Sequence, residues 1–507
     1  MDANQPVSIP VAFLGRREIV TDADVIDESN LSDEISKAMK IHMQNRVEIQ
    51  YLWDYYRGEQ PILRKEKKVR PDINNKIVVN KAHEIVDFHS SYITGEPITY
   101  ISRTEDESVM KNITKLNDAM YTLGKADQDA SLIEWDMICG TAYRYISTEK
   151  VDDVPFNMYT LDPRNSFVVY SADITRKRKM GVTYYIVTNS EGSLPVVGDG
   201  LYKDVVFEVY TENMYYKVIG DNIVEQHAHY LGEVPIIEYP ANKARQGAFE
   251  VVLPLLDALN AAYSDRLDSV DSFVQAFMKF VNCDIDKEGL DLLKEYGAIK
   301  IKSEPNLPAD VELVTSEMNQ QQTQTLVDSI ENQIILICGL PNRNGGLSTS
   351  DTGRAVELRD GWVNASAKAK ASENAYKKAD KDSVRIIFKI CSQTGYLSLK
   401  ASDVESQFTR RNYDNLQSKS QVLIAMLQNP KIAPKLAFEC SGMFTDPESA
   451  YKQSMEYYDE HLEELQKQQA TTPSGDANTE QRSSKNAEKD GTTQSNPILK
   501  GASEESH

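Results

Sequence analysis

The only close pair of histidines in the sequence is His227 and His229. If this pair lies on a strand, both imidazoles point to the same face, an arrangement that suits a metal ion. A metal site needs three or four placed ligands, and no cluster of cysteines or acidic residues adjoins the pair. We therefore predict no metal site, and a metal-dependent phosphoesterase built on these histidines is kept only as an alternative.

Four aspartates follow one another at helical spacings, at Asp257, Asp265, Asp268 and Asp271. Paired carboxylates can act as general acid and base, but a helix surface facing solvent or a channel explains these four with fewer assumptions. The sequence has no G-x-x-x-x-G-K-[ST], no H-E-x-x-H and no G-x-S-x-G motif. We therefore predict no catalytic residue, no cofactor and no enzymatic activity.

The aspartates lie on a long predicted helix, whose apolar residues recur at steps of three and four over about 30 residues. This stripe consists of Phe249, Val252, Leu256, Leu259, Tyr263, Leu267, Val270, Val274, Phe277 and Val281. Pro254 is tolerated only in the first turn, so the helix must start close to it. The predicted helix therefore has one apolar face and one acidic face.

A second long helix is predicted at 319–338, and it ends at Gly339-Leu340-Pro341. Its apolar stripe consists of Leu326, Ile330, Ile334 and Ile337. Between the two long helices, residues 282–317 predict a small insert. The insert has a helix at 287–296 and strands at 298–302 and 311–314. Two helices that bracket such an insert form a stalk with a knob on its end.

The segment 341–353, PNRNGGLSTSDTG, has no apolar pattern and is rich in Gly, Ser, Thr and Asn. A further long helix is predicted from Arg354 to about Gln393, with Gly361 as a bend or a close contact. A polar loop between two long helices, with no strand or domain around it, indicates a segment offered to a partner. An ordinary connection between helices is the alternative.

The first half of the chain predicts helices followed by strands. Helices are expected at about 32–58, 77–93, 107–123 and 126–139, with a strand at 98–101. From 143 to 239, β-branched and aromatic runs separated by turn signals predict an antiparallel meander. The basic run 64–70 is interpreted as a solvated loop, with a phosphate contact as the alternative, and the run 176–179 as an exposed hairpin tip.

The last part of the chain predicts short elements and then disorder. A strand at about 407–410 precedes helices at 415–428, 430–441 and 447–465. Residues 466–507 contain no aromatic residue, Val, Met or Cys, so they cannot bury enough surface to offset the entropy of ordering. Residues 1–30 are expected to form a weakly ordered arm. Together the elements predict an α+β fold that is mainly helical.

The composition excludes several classes of protein. The chain has 507 residues, 40% of them apolar, which allows a sizeable core. Its formal net charge of −21 argues against a protein that simply coats a DNA duplex. The five widely spaced cysteines predict reduced thiols. Because neither a secretory signal nor a membrane-spanning run is present, we expect a protein that folds in a cytoplasm.

The order of these parts resembles the portal proteins of tailed bacteriophages, most closely those of long-tailed phages of Gram-positive hosts. The resemblance covers about residues 35–465, and the order and spacing of its segments make it specific. In chain order these segments are YLWDYYRGEQPI, PDINNKIVVNKAHEIVDFHSSYITGEPITY, Leu161-Asp162-Pro163-Arg164, EVPIIEYPAN, RQGAFEVVLPLLDALNAAYSDRLDS and GLPNRNGGLSTSDTGRAVELRDGW.

The resemblance implies a portal fold with crown, wing, stem and clip, assembled as a ring around a central channel. The implied parts are a flexible arm at 1–30, wing at 31–241, stem helices at 242–281 and 318–340, clip at 282–317, a tunnel loop at 341–353, a long wing helix and strand at 354–411, crown helices at 412–465 and a disordered tail at 466–507.

The resemblance also implies which residues face DNA and partners. The tunnel loop would contact DNA through Arg343, Asn344, Gly345, Gly346, Leu347, Ser348, Thr349, Ser350, Asp351 and Arg354. The acidic stem face would line the channel with Asp257, Asp265, Asp268 and Asp271, which would repel phosphates and let DNA slide. The clip would meet an adaptor or a terminase through Lys287, Lys294, Lys300 and Lys302.

The implied function is a DNA conduit at one capsid vertex of a virion, made in the host cytoplasm. Twelve copies would form the ring, and double-stranded DNA would pass without sequence specificity. The implied partners are the terminase large subunit, the head–tail adaptor, and the major capsid and scaffolding proteins, with no membrane. The rival hypothesis is a cytoplasmic scaffolding protein built from long helices, without a DNA channel.

Overall fold

A computed structural model of the chain describes residues 15–68, 71–186, 205–274, 277–281, 310–314, 320–341, 361–409, 416–444 and 447–462. The chain divides into two compact units, Met1–Ser418 and Lys419–His507. Both helices and strands are present in the described residues, and helices predominate. The predicted α+β, mainly helical fold class is therefore confirmed.

The long helices of the first unit account for most of its described residues. They are α1 Leu31–Tyr56, α2 Lys81–Thr94, α3 Glu107–Thr122, α4 Lys125–Cys139, α5 Leu253–Val274, α6 Gln320–Cys338 and α7 Trp362–Thr394. Gly58, with a φ of 96°, follows the end of α1, where the sequence predicted the stop. Helix α2 starts at Lys81 rather than at 77, because the Asn80 side chain caps it by accepting from the His83 N–H.

The strands of the first unit are short. They are β1 Ile19–Thr21, β2 Thr99–Ser102, β3 Thr141–Ser147, β4 Asn157–Leu161, β5 Ser166–Ser171, β6 Arg178–Ile186, β7 Val205–Tyr210, β8 Met214–Ile219, β9 Asn222–Ala228, β10 Ile236–Pro240, β11 Phe277–Val281, β12 Asp310–Val314 and β13 Val404–Gln407. Strand β13 pairs antiparallel with β2 and lies three residues before the predicted 407–410.

The largest sheet has the strand order β1-β5-β6-β7-β8-β9. Strands β5 to β9 pair antiparallel with their sequence neighbours, so the predicted meander is confirmed there. Strands β3, β4 and β10 leave the meander and form a second sheet. Strand β1 pairs parallel with β5, and Ile19 and Ile26 are buried. The described end of the predicted N-terminal arm is therefore part of the fold, because these apolar side chains pack into the core.

Helix α1 spans two hydrophobic cores and so fixes the sheet relative to the other helices. Its first half, including Leu31 and Met39, packs in the core under the large sheet. Its second half, including Ile49, Leu52 and Tyr55, packs in the core shared by the remaining helices of the first unit. A stripe of apolar residues at three- and four-residue spacing accounts for both contacts.

A buried cluster of charged and polar side chains, which we call the polar hub, joins α4, β3 and α7. It is centred on Arg144, which is 1% exposed and donates to an Asp129 carboxylate oxygen at 2.5 Å. Lys125 forms an ion pair with the same carboxylate, and Asp380 of α7 lies 3.6 Å from Arg144. Burial opposes ionisation of Asp129, but Lys125 and Arg144 hold its pKa below the ordinary value.

The two helices of the predicted stalk are present as an antiparallel pair. The Tyr263 hydroxyl of α5 donates to Glu331 of α6, and Arg266 of α5 donates to Gln324 of α6 at 2.6 Å. Rising residue numbers on α5 therefore meet falling numbers on α6. Helix α5 starts at Leu253 and keeps Pro254 in its first turn, as predicted.

The prediction that α5 continues to 281 is wrong. The helix ends at Val274, and residues Phe277–Val281 form β11, which pairs antiparallel with β12. Phe277 and Val281 fit a helical stripe by spacing, but aromatic and β-branched residues also favour strands. The strand predicted at 311–314 is confirmed as β12. The predicted helix at 287–296 and strand at 298–302 lie outside the described residues.

The second unit is helical where it is described. Its elements are α8, Leu416–Leu427, whose first residues precede the unit boundary, α9, Pro434–Ser441, and α10, Pro447–Glu460. The Phe438 ring packs on Phe444 and Tyr451, which fixes α9 against α10. The three predicted helices are confirmed, but α9 begins at Pro434 rather than at Pro430, with Pro434 in its first turn.

Candidate functional site

The predicted site residues fall into two groups. The loop residues Arg343 to Asp351 and Arg354, and the four lysines at 287, 294, 300 and 302, lie outside the described residues. The aspartates of α5 are described, and so are the ends of the helices that flank the loop. We therefore build the candidate site from the acidic face of α5 and from the loop anchor at the end of α6.

Residues 74–79 run along the polar face of α5, and we call residues 65–68 and 74–79 the strap. Three alternate backbone N–H groups of the strap donate to side chains one helical turn apart. Val79 donates to Asn260 Oδ1 at 2.8 Å, Ile77 to Ser264 Oγ at 3.0 Å, and Asn75 to Asp268 Oδ1 at 2.6 Å (listed from the start of α5). These three bonds form a ladder between an extended chain and a helix.

The ladder works because two periods match. Two residues of extended chain advance about 6.6 Å, and four residues of helix advance about 6 Å. Side chains at 260, 264 and 268 therefore stay in register with backbone N–H groups at 79, 77 and 75. Asn260 and Ser264 are fully buried and Asp268 is 3% exposed. The strap N–H groups would otherwise be shielded donors without acceptors, so the ladder stabilises the contact.

The basic run predicted as a solvated loop contributes to this contact. Lys67 forms an ion pair with Asp268, and Lys65 Nζ lies 2.5 Å from Asp265 Oδ1. Asn75 also donates its amide to Asp271 Oδ2 at 2.7 Å. The interpretation of 64–70 as only a solvated loop is therefore wrong for Lys65 and Lys67, because the acidic face of α5 attracts both.

The aspartates of α5 have different environments. Burial raises the energy of the Asp268 carboxylate, but Lys67 and Asn75 hold its pKa below the ordinary value. Asp257 accepts a hydrogen bond from the Tyr55 hydroxyl at 2.9 Å, and burial raises its pKa. Asp265 is the most exposed of the four, with 57% of its side chain accessible. In the single chain, Asp265 is thus the aspartate most available to anything outside it.

Apolar side chains on the outer faces of α5 and α6 remain exposed. Leu267 and Val270 lie on α5, and Leu326, Leu336 and Ile337 lie on α6. The predicted stripe of α6 is wrong in part, because Val327 is buried while Leu326 is 55% exposed. Adjacent apolar residues left the facing side ambiguous in the sequence. Leu267 and Val270 of the predicted α5 stripe are therefore exposed within one chain.

The loop anchor is the structure that holds both ends of the segment 342–360. Helix α6 ends at Gly339, with a φ of 68°, and the Leu340 N–H donates to the Ile335 carbonyl at 2.9 Å. Gly361 precedes α7 with a φ of 81°, and a methyl group placed on it would lie 3.4 Å from the Leu340 carbonyl oxygen. The two ends of the segment are therefore next to each other.

Side chains from α2 and α7 fix this anchor. His89 Nε2 lies 3.0 Å from the Cys338 carbonyl oxygen, and Lys368 donates to the Ile337 carbonyl. The Trp362 ring contacts Phe88 and Tyr92 of α2. The prediction of a helix that runs through Gly361 is wrong, since Gly361 adopts a left-handed conformation just before α7 begins. Residues 354–360 lie outside the described residues.

The histidine pair is not arranged like a metal site. His227 lies on β9 and is exposed, while His229 follows the strand and lies 3.0 Å from the Thr211 carbonyl oxygen. Across the described ranges, no group of three or more His, Cys, Asp or Glu side chains is placed to hold a metal ion. In the same part of the chain, no helix combines the length and apolar composition needed to cross a bilayer.

The ladder between the strap and α5 was not predicted from the sequence, although the sequence contains a pattern that indicates it. Asn260, Ser264 and Asp268 are short polar residues at positions i, i+4 and i+8 of α5. Such spacing places them on one line along the helix, where a polar line implies a partner that donates hydrogen bonds. The sequence interpretation noted only the charges of this face and not the neutral residues between them.

Three comparisons relate the chain to known proteins. Residues 35–473 match the family described as phage portal protein, SPP1 Gp6-like. A solved structure titled "Neck of empty GTA particle computed with C6 symmetry" aligns with a TM-score of 0.41 and 11% identity, covering 71% of this chain and 90% of that chain. No curated protein sequence matches the chain.

Proposed function

The chain belongs to the SPP1 Gp6-like family of phage portal proteins, and from that premise we propose that it forms a ring whose central channel passes double-stranded DNA. The observation that carries this proposal is the family match over residues 35–473. The channel would serve packaging and ejection at one capsid vertex of the virion, with twelve copies in the ring. The role is structural, and no catalytic step is assigned to the chain.

The exposed apolar residues of α5 and α6 support assembly. Leu267, Val270 and Leu336 would each lose their contact with water if a neighbouring copy packed on this helix pair. Burial of apolar surface contributes about 25 cal/mol per Å². A ring repeats such a contact between every pair of neighbours, so a modest gain per copy adds up around the closed assembly.

The anchor supports a role for the segment between α6 and α7. A loop that leaves and returns at one fixed point can project from the helices without disturbing them. We assign the DNA-facing role to Arg343, Asn344, Gly345, Gly346, Leu347, Ser348, Thr349, Ser350, Asp351 and Arg354. Small polar side chains would slide along phosphates, and the two arginines would contact them transiently.

Only part of the acidic face of α5 is proposed to line the channel. Asp265, the most exposed of the four, is the candidate to face the channel and repel DNA phosphates. Asp257 is engaged within the chain by Tyr55, and Asp268 and Asp271 are engaged by the strap. Their first role is therefore to hold α5 in place.

The partners follow from the family in general terms as capsid and tail components. We propose that the terminase large subunit and then the head–tail adaptor dock on the insert that carries Lys287, Lys294, Lys300 and Lys302. The major capsid protein and the scaffolding protein would contact the ring at the vertex. No membrane and no cofactor is required.

Electron microscopy of the purified full-length protein tests the proposal. Closed rings with a central hole wide enough for a DNA duplex are expected, and filaments or dimers without a hole would favour the scaffolding protein instead. Deleting Asn344 to Ser350 should leave the rings intact and abolish packaging in a phage complementation assay. Normal packaging by this deletion would remove the loop from the mechanism.

A further inference from the structure

A cavity of about 290 Å³ opens where α7 meets the two-stranded sheet of β2 and β13. We call it the basic cavity, because Arg103, Lys377 and Lys381 line it together with a single carboxylate, Glu405. Lys377 and Lys381 are one helical turn apart on α7 and therefore share a face. Arg103 directly follows β2, so the three cations come from two separate elements of the fold.

The charges of the basic cavity are not balanced by its own wall. Lys377 Nζ lies 2.8 Å from Glu405 Oε1, and the same carboxylate interacts electrostatically with Arg103. Among the lining residues, three positive charges and one negative charge leave two positive charges in excess. Such an excess in a concave site attracts anions. The excess stands out in a chain of net charge −21.

The floor of the cavity is bonded to the polar hub. The Tyr100 hydroxyl donates to Asp380 Oδ1, and the Ser406 hydroxyl donates to Asp380 Oδ2 at 2.6 Å. Both hydroxyl protons are thereby used within the chain. A ligand would therefore be held by the cations at the rim rather than by the floor.

We propose that the basic cavity binds phosphate, either free or as part of a DNA backbone. A phosphate monoester carries about two negative charges near neutral pH, which matches the excess, and so do two successive backbone phosphates; pyrophosphate carries between about two and three. A single carboxylate would leave one positive charge uncompensated. The guanidinium fork of Arg103 and two ammonium groups are the donors that phosphate oxygens favour.

Pyrophosphate titrated into the full chain, followed by calorimetry at low salt, tests the proposal. The double variant Lys377→Ala/Lys381→Ala should weaken binding about tenfold or more, because two charge-assisted contacts are lost. The matched control is Lys111→Ala/Lys378→Ala, which removes the same charge from two exposed lysines outside the cavity. The control should bind like the unaltered chain.

A gain of affinity provides the sharper readout. Glu405→Gln removes the one negative charge of the cavity and frees Lys377, so it should tighten pyrophosphate binding several-fold. No saturable binding by the unaltered chain, or equal losses in the double variant and its control, would overturn the proposal.

A competition experiment distinguishes free phosphate from the phosphates of a DNA backbone as the ligand. Displacement of pyrophosphate by a short DNA duplex would assign the cavity to backbone phosphates, and no displacement would assign it to free phosphate. Neither experiment depends on ring formation. Failure of the cavity to bind would leave the proposed channel untouched, and failure to form rings would leave the cavity to be judged by its own titration.

Discussion

The polar hub and the strap both hold a long helix with polar side chains, but they do so by opposite means. The hub joins α7 to α4 and β3 through charges that are buried on every side, with Arg144 and Asp129 each 1% exposed. The strap holds α5 through backbone N–H groups, and apart from the buried Asp268 its charges lie at a wetter rim, where Lys65 meets Asp265. Charge compensation dominates the hub, whereas backbone hydrogen bonds dominate the strap.

This difference predicts how the packing of each helix should respond when a substitution removes one polar contact. A buried charge that loses its partner is stranded in a medium of low dielectric, so damage to the hub is severe. A strap residue that loses one ladder bond still leaves its neighbours bound. The hub should therefore fail as a unit, while the strap should weaken step by step.

The largest expected effect is that of Arg144→Met. It leaves the buried Asp380 carboxylate without a cation and Asp129 with Lys125 alone, so the free energy of unfolding should fall by about 3–5 kcal/mol. Chemical denaturation followed by circular dichroism measures the loss. Arg385→Met is the control, because the Arg385 side chain is 47% exposed and its pair with Glu233 is screened by water, and the loss there should be about 0–1 kcal/mol. Equal losses would mean that burial does not distinguish the two arginines.

The next largest effect is a pH dependence of stability that arises at the loop anchor, outside both the hub and the strap. Burial lowers the pKa of His89 at the loop anchor to about 4, whereas the hub contains no histidine. Between pH 6.5 and 4 the unfolded chain binds a proton at His89 that the folded chain excludes, so stability falls as the pH falls. The contribution of His89 is up to about 3 kcal/mol.

His89→Gln tests this pH effect while keeping a donor near the Cys338 carbonyl. Stability measured at pH 7 and at pH 4.5 should differ less in the variant than in the unaltered chain. His42, whose pKa burial also lowers to about 4, remains in both proteins and supplies the common background. An unchanged pH dependence would show that His89 does not exclude the proton.

A smaller effect separates charge from hydrogen bonding at Asp268. Asp268→Ala removes both the acceptor for the Asn75 N–H and the charge opposite Lys67, at a cost of about 2–3 kcal/mol. Asp268→Asn keeps an acceptor and removes only the charge, so its cost should be about 1 kcal/mol or less. Thermal unfolding of both variants measures the difference. If Asn costs as much as Ala, the strap depends on charge and resembles the hub.

The smallest effect concerns the rim of the strap. Lys65→Met should cost about 0–1 kcal/mol at low salt, since Asp265 is largely exposed. The cost should vanish at about 1 M salt, where the screening length is about 3 Å. Denaturation of the variant and the unaltered chain at both salt concentrations is the measurement. A cost that persists at high salt would place Lys65 among buried pairs.

Periodicity and caps predicted most elements of the fold, because these signals are local. These local signals predicted the start of α5 close to Pro254, the end of α1 just before Gly58, and the strands β5 to β9. The end of α5 was not, since Phe277 and Val281 satisfy a helical stripe and a strand equally. Only the pairing of β11 with β12, more than 30 residues apart, decides between them.

The candidate site was less predictable, because its contacts join distant parts of the chain. The charges of Asp268 and Lys67 were visible, but nothing local showed that the two would meet. Arg144, Asp129 and Asp380 were not singled out at all, since isolated charged residues usually lie at the surface. The role of Gly361 became clear only from its contact with Leu340.

The pinned ends of the segment 342–360 also bear on how this protein can vary. A loop closed at one point pays for added length only logarithmically, so doubling its length costs about 0.6 kcal/mol. The helices on either side are held by His89, Lys368 and Trp362. Folding should consequently tolerate insertions, epitope tags or fluorophore sites placed in this segment. The segment can therefore vary in length among related sequences and can carry labels without loss of the fold.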